Sequence, residues 1–182
     1  MSLTEAQVEA RKDALGSSDA WQVCDPAQWP ALKAFILGGR QKADTPHMQR
    51  GREREAPICR AVEALRPHWT LMECETVYHP IHKFILCHPD RLILSGAHAD
   101  PGILEAKCPS NDYMAHQNRD RYALQVHWQY MCSGYDWGAL AIGMMRPDDS
   151  EELRILPVLR EERVIDMMLD MALAFWAYYK ET

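Results

Sequence analysis

The spacing of apolar positions changes along this chain, and the changes mark out its elements. From Thr4 to Leu15 the apolar positions recur at helical spacing, with Thr4 a candidate N-cap, Gln7 completing a capping box three residues on, and Gly16 ending the segment. Ser17-Ser18-Asp19 opens a second helical segment carrying Trp21 and Val23. Between Asp25-Pro26 and Gly38-Gly39, the residues Trp29, Leu32, Phe35 and Ile36 form the core face of a further short helix. Arg40 to Thr45 is polar and reads as a mobile loop. Helical spacing returns from Pro46 to Leu65, with Met48, Ile58, Val62 and Leu65 inward. Pro57 lies inside this stretch; it has no N–H and its ring crowds the carbonyl four residues back, which predicts a kink or a restart.

The spacing then shortens to that of strands. Trp69 to His79 and Phe84 to Leu94 read as two strands joined through Pro80-Ile81-His82, and Ile103 to Cys108 reads as a third after the turn-rich Ser95 to Pro101. The chain is helical again from Asp112, and Tyr122 to Cys132 is amphipathic, with Leu124, Trp128 and Met131 apolar and Gly134 as the stop. Trp137 to Met145 and Leu153 to Leu159 are two more strands, and Glu161 to Lys180 is a long final helix. The Met-rich stripe of that helix reads as core or subunit interface, not as a cofactor box. Helices, then three strands, a helix and further strands predict an α/β protein whose mixed central sheet is flanked by helices, in one domain over residues 1–182.

Composition narrows the function classes. A chain of 182 residues that is 47% hydrophobic can bury a sizeable core. Its net charge of -6 argues against gripping nucleic acid by bulk charge, so any DNA contact must rest on local basic patches and on metal. The six cysteines include no CxxC pair and several lie in apolar runs, which suits reduced core residues better than disulfides or zinc ligands. The first residues lack an apolar signal core, and no run approaches the roughly 18 apolar residues of a membrane span, so an intracellular, soluble protein with no membrane partner is expected.

The candidate chemistry lies between Phe84 and Pro109. Successive strand side chains point to opposite faces, so Glu105 and Lys107 share one face while Leu104 and Ala106 take the other. His88-Pro89-Asp90 ends the preceding apolar run and places a second carboxylate where a hairpin partner could bring it beside Glu105. Two carboxylates on adjacent strands offer hard oxygen ligands to magnesium, which needs only one or two of them when water and phosphate complete its shell. Lys107 could orient or deprotonate water or offset phosphate charge; burial lowers its pKa and the carboxylates raise it, and the sequence leaves that contest open. Taken alone, Glu-x-Lys is equally an ion pair on a solvated edge. The start at Gly16 to Asp19 is ordinary capping or an anion site, and the charged run from Arg50 to Glu55 is a solvated helix face or a contact surface.

Pro-Asp followed by Glu-x-Lys resembles the PD-(D/E)xK nuclease signature, and the chain as a whole resembles the lambda exonuclease, or YqaJ-like viral recombinase, family. Its pieces occur in order: Arg11 with Gly16-Ser17-Ser18, Gly51-Arg52-Glu53-Arg54-Glu55, His88-Pro89-Asp90, Leu104-Glu105-Ala106-Lys107-Cys108-Pro109, and Tyr122-Ala123-Leu124-Gln125-Val126. The resemblance implies a restriction-endonuclease-like core in which Asp90, Glu105 and the Ala106 carbonyl bind two Mg2+ ions, with Mn2+ as substitute. It implies that Lys107 positions or activates water, that Gln125 helps hold the water or the lysine, and that Glu55 supports the metal site. Arg11 and Ser18 match residues that bind the 5′-phosphate end of DNA, with Arg52 and Arg54 as further DNA contacts.

The family commonly has Ser-Pro-Asp-Gly where this chain has His88-Pro89-Asp90-Arg91, so His88 is expected to take over a phosphate contact. Asp100, before Pro101, is a turn former or a rival second-metal ligand. The resemblance further implies a cytoplasmic, phage- or prophage-encoded 5′-to-3′ double-strand exonuclease of recombination, a homotrimeric ring, a 5′-phosphorylated duplex as substrate and a single-strand annealing protein as partner. A restriction-like endonuclease using the same residues, or a non-catalytic DNA-binding module, are the alternatives.

Overall fold

The computed structural model describes residues 12–40, 43–145 and 151–181. A short 3-10 turn, Ser17–Asp19, leads into α1 (Ala20–Val23), a second turn at Pro26–Gln28 into α2 (Trp29–Leu37), and α3 follows at Pro46–Leu65. Strands β1 (Trp69–Met72), β2 (Val77–Tyr78), β3 (Leu86–Cys87), β4 (Arg91–Ser95) and β5 (Gly102–Lys107) precede α4 (Asp112–Gln117) and α5 (Arg119–Ser133). The chain then forms β6 (Trp137–Met145), β7 (Glu151–Leu159) and α6 (Glu162–Lys180).

Five strands make one mixed sheet in the order β1-β4-β5-β6-β7, antiparallel except for the parallel pair β5 and β6. That parallel pair needs a crossover, and α4 and α5 supply it. The period-two pattern of β5 separates the two layers. Ile103 packs with Val126, Trp128 and Phe175 in a cluster under α5 and α6, whereas Leu104 packs with Ile58 and Val62 of α3 on the opposite face. The mixed α/β architecture read from the sequence is therefore the observed one.

Several boundaries differ from expectation. The expected helix Thr4 to Leu15 lies largely outside the described residues, and its end is not helical: Leu15 pairs with Ile85 through an isolated bridge. Trp69 to His79 is two strands, β1 and β2, and Phe84 to Leu94 is likewise divided at His88-Pro89-Asp90 into β3 and β4. The division has a cause, because proline offers no ladder donor and the chain there leaves the β2–β3 ribbon for the main sheet. Across Pro57, α3 runs on as one helix of 20 residues with no restart, its later turns held by Ile58, Cys59 and Val62 packing on the sheet. Leu65, expected inward, is 55% exposed at the helix end. Arg40, placed in a mobile loop by its polarity, is anchored at 3.0 Å to Asp19.

Gly138 of β6 stands opposite Ile103 of β5. A Cβ there would collide with the Ile103 carbonyl oxygen and lie 2.7 Å from the Tyr130 hydroxyl. Gly138→Ala should lower stability by roughly 1–3 kcal/mol through overpacking, read as a lower denaturant midpoint with unchanged slope.

Candidate active site

Sheet register brings the two carboxylates together. Arg91 stands opposite Leu104 in the antiparallel β4–β5 pair, so the residue before β4, Asp90, falls beside Glu105. Asp90 Oδ2 accepts a hydrogen bond from the Ala106 backbone N–H at 2.7 Å. Glu105 is 1% exposed and its carboxylate is held from three sides. Lys107 Nζ and Gln125 Nε2 donate to Oε1, the latter at 2.6 Å, and Gln129 Nε2 donates to Oε2 at 2.6 Å. The glutamines are four residues apart on α5, hence on one helix face, and that face covers the side of β5 carrying Glu105 and Lys107.

These groups open onto a cleft of about 640 Å³ whose wall includes Asp90, Lys107, Gln125, Glu55, Ser18 and Arg121. Ala106 and Arg52 also line it. Burial, with the charge of Glu105 beside it, pushes the Asp90 carboxyl up to about 8. Burial works to lower Lys107, but Glu105 and Asp90 outweigh it and the net shift is upward. The two carboxylates thus favour the charged form of Lys107, which suits orienting water and offsetting phosphate charge. The Tyr122 ring lies 5.6 Å below Lys107 Nζ and adds a cation–π contact.

Glu55 reaches the site through an intermediary. Its Oε1 accepts from Arg91 Nη1 at 3.2 Å, and Arg91 also donates to the Asp90 carbonyl. Arg91 thus ties α3 to the Asp90 turn. On the opposite wall, Asp19 Oδ2 accepts from the Gly16 N–H at 2.8 Å while Arg40 holds Asp19, fixing the loop that carries Ser18.

Other expected contacts lie elsewhere. Arg11 is outside the described residues. Arg52 is paired with Asp44 at the rim. Arg54 pairs at 2.6 Å with Glu151 of β7 and does not line the cleft. His88 Nδ1 engages Thr76 Oγ1 at 3.0 Å and is likewise away from the cleft wall, because the β3 end turns it toward the β2 side. Asp100 sits near the far tip of the β4–β5 hairpin, where its carbonyl accepts from Trp137 Nε1 at 3.0 Å; it is a turn residue and no rival ligand. The residues that sequence reasoning missed are Gln129, Arg40 and Trp21, whose ring centroid lies 4.0 Å from the Arg121 guanidinium at the cleft. Only Gln129 carried a signal, its spacing of four from Gln125.

A family model for the YqaJ-like viral recombinase domain matches residues 7–136, most of the chain. The chain belongs to that family. No curated protein matches it significantly. Among solved structures it is similar to the alkaline exonuclease LHK-Exo from Laribacter hongkongensis, with 23% identity and a TM-score of 0.77 over 97% of this chain and 93% of that one. LHK-Exo in complex with dAMP gives 22% identity and a TM-score of 0.78 with the same coverage. A phage related exonuclease from Haemophilus somnus 129PT gives 15% identity and a TM-score of 0.69 over 91% of this chain and 93% of that one. These likenesses show that the chain shares the fold of those exonucleases.

The donor chemistry of the recombinase-family site fits a hard divalent cation. Asp90 and Glu105 supply carboxylate oxygens, and the Asp90 carboxyl is raised by burial first and by the Glu105 charge second, so a cation there would favour its ionised form. The described residues contain no cluster of three His, Cys, Asp or Glu side chains set to hold a metal, so water and substrate oxygens would have to complete the shell. Oxygen Oε1 of Glu105 accepts from both Lys107 and Gln125, so a cation there would share that carboxylate with its donors.

A pH dependence follows. Asp90 binds its proton more tightly folded than unfolded, so without metal its contribution to stability is full below about pH 4 and is lost as pH rises toward about 8. In EDTA, Asp90→Asn should flatten that decline in thermal midpoint. Added Mg2+ should raise the wild-type midpoint more at pH 8 than at pH 6, because the cation competes with the proton. Gln129→Leu should destabilise by roughly 1–3 kcal/mol by stripping a donor from a buried carboxylate, measured by denaturant unfolding.

Proposed function

We propose that this chain, as a single nuclease domain over residues 1–182, is a magnesium-dependent double-stranded DNA exonuclease. It hydrolyses the 5′-ended strand and leaves a 3′ single strand for homologous recombination. The observation that carries this reading is the buried Glu105, held by Lys107, Gln125 and Gln129 beside Asp90, with Asp90, Lys107 and Gln125 lining a cleft that Ser18 and Arg121 also line. Asp90, Glu105 and the Ala106 carbonyl would hold Mg2+, or Mn2+ in its place, at two ions per site. When bound, the metal supplies charge stabilisation for the attacking and leaving oxygens at phosphorus.

The chain's own residues do the rest. Lys107, cationic, aligns the attacking water and offsets charge on the phosphate, and Gln125 fixes the lysine's carboxylate partner. Glu55, through Arg91, holds the Asp90 turn. Ser18, with Arg11, receives the 5′-phosphate, and Arg52 guides the strand at the rim. A homotrimeric ring would place Arg50, Arg52, Arg119 and Arg121 toward a duplex while acids face outward, reconciling a net charge of -6 with DNA binding. A single-strand annealing protein is the expected partner, in the cytoplasm of a bacterium carrying the phage or prophage.

Incubation of 5′-phosphorylated linear duplex, 5′-hydroxyl linear duplex and closed circular duplex with Mg2+ or EDTA tests the reading. The expected result is Mg2+-dependent loss of linear DNA alone, fastest with the 5′-phosphate, and at least 100-fold slower with Lys107→Ala, on the order of removing one positioned charge-stabilising group. Cutting of the circle would establish an endonuclease instead. Retained DNA binding without hydrolysis under any condition would establish a non-catalytic module.

A further inference from the structure

A second hollow, of about 370 Å³, lies at the end of the sheet away from Glu105. It forms where β1 starts, β4 ends and β6 starts, beside the last residues of β7. β5 runs from Gly102, packed against Trp137 at this end, to Lys107 at the other, a separation on the order of 16 Å at strand rise.

Its wall combines aromatic rings with cationic and titratable nitrogen groups. The rings of Trp69 and Trp137 are 6.1 Å apart, and His98 stacks on Trp137 at 4.0 Å with an interplanar angle of 17°. The Arg66 guanidinium lies 5.9 Å from the Trp69 ring centroid, and His68 meets Trp69 edge-on at 6.0 Å. Leu159, 69% exposed, adds an apolar rim. Among the described residues no carboxylate lines this hollow, although acids outnumber Lys and Arg by 26 to 20 over the chain. Asp100 borders only the adjoining depression that shares His68 and His98.

This cluster is more than core packing. Trp137 is buried, but the His98 ring stacked on it is exposed, so one face of the stack remains open to solvent. A ligand suited to the wall has flat π-faces and negative charge together. An apolar peptide would leave Arg66 without a counter-charge, and an intact duplex offers no free base face. Unpaired nucleic acid offers both, and stacking on aromatic side chains beside a cation is how single strands are held without regard to sequence.

We propose that this hollow binds an unpaired nucleic-acid strand, with a base stacked on His98 and a phosphate paired with Arg66. The proposal rests on the nuclease reading for the source of that strand, a 3′-ended product, but the binding itself requires no catalysis.

The test is therefore made in EDTA. An oligothymidylate carrying 5-iodouracil is bound to the full chain, affinity is measured by anisotropy, and the complex is photo-crosslinked and digested for mass spectrometry. Crosslinks should fall on peptides containing His98 or Trp69. Arg66→Gln and His98→Ala, both surface changes checked for folding by circular dichroism, should each weaken binding about 3–10-fold, and Arg66→Gln should reduce the salt slope by about 0.7. Crosslinks confined to the Ser18 and Arg121 peptides, or affinities within twofold of wild type, would overturn the proposal. So would an Arg66→Gln protein that loses self-association but keeps its affinity, which would make this face a contact between copies. Failure of hydrolysis with these crosslinks intact would instead count against the nuclease reading alone.

Discussion

One buried negative charge organises this protein. Removing a carboxylate from water costs several kcal/mol even after relaxation, and Glu105 is almost wholly inaccessible. The fold offsets that cost with charge-assisted hydrogen bonds from Lys107, Gln125 and Gln129, each stronger than a neutral one. Through these bonds β5, α5 and the Lys107 side chain are tied to the same group that a cation would use. Asp90 stands beside Glu105, and its carboxyl is pushed up first by burial and then by the neighbouring charge. Stability without a cation and competence to bind one therefore oppose each other at this point.

The remaining architecture serves that placement. A parallel β5–β6 pair demands a crossover helix, and the crossover is α5, which delivers two glutamines to the face that β5 alternation has assigned to Glu105. On the other face α3 supplies Ile58 and Val62 to the core and Glu55 to Arg91, so the turn bearing Asp90 is gripped from the opposite layer. The loop at Ser18 is set by Arg40 through Asp19, which makes a residue beyond α2 a determinant of the cleft wall.

Alternation in β5 and the acid–base pair at Glu105 and Lys107 could be read directly, because a period of two leaves no freedom about which side chains share a face. The partnership of Asp90 with Glu105 was visible only as a possibility, since it depends on hairpin register across a long connection. The division of both early strands was not drawn from the periodicity: His88-Pro89-Asp90 interrupts the apolar run, but an interruption of three residues does not say that the chain changes sheets there. Arg40 and Arg91 could not be recognised as anchors, because an arginine in a polar stretch looks the same whether it meets solvent or a buried carboxylate. The protonation of Lys107 depends on burial and on two neighbouring charges at once, and neither is a property of sequence spacing. His88 and Arg54 were assigned by resemblance, and local pairing with Thr76 and Glu151 directs them away from the cleft.

The most direct measurement is calorimetric titration of Glu105→Gln with Mg2+, paired with its thermal midpoint in EDTA and its activity on linear duplex. The substitution keeps the size of the side chain and removes the charge. If one buried carboxylate both holds its three donors and binds the cation, the variant should melt below wild type in EDTA, bind no Mg2+ at the site and cut no DNA. A variant that binds Mg2+ with wild-type affinity, or hydrolyses duplex within a few-fold of the wild-type rate, would contradict that role for Glu105.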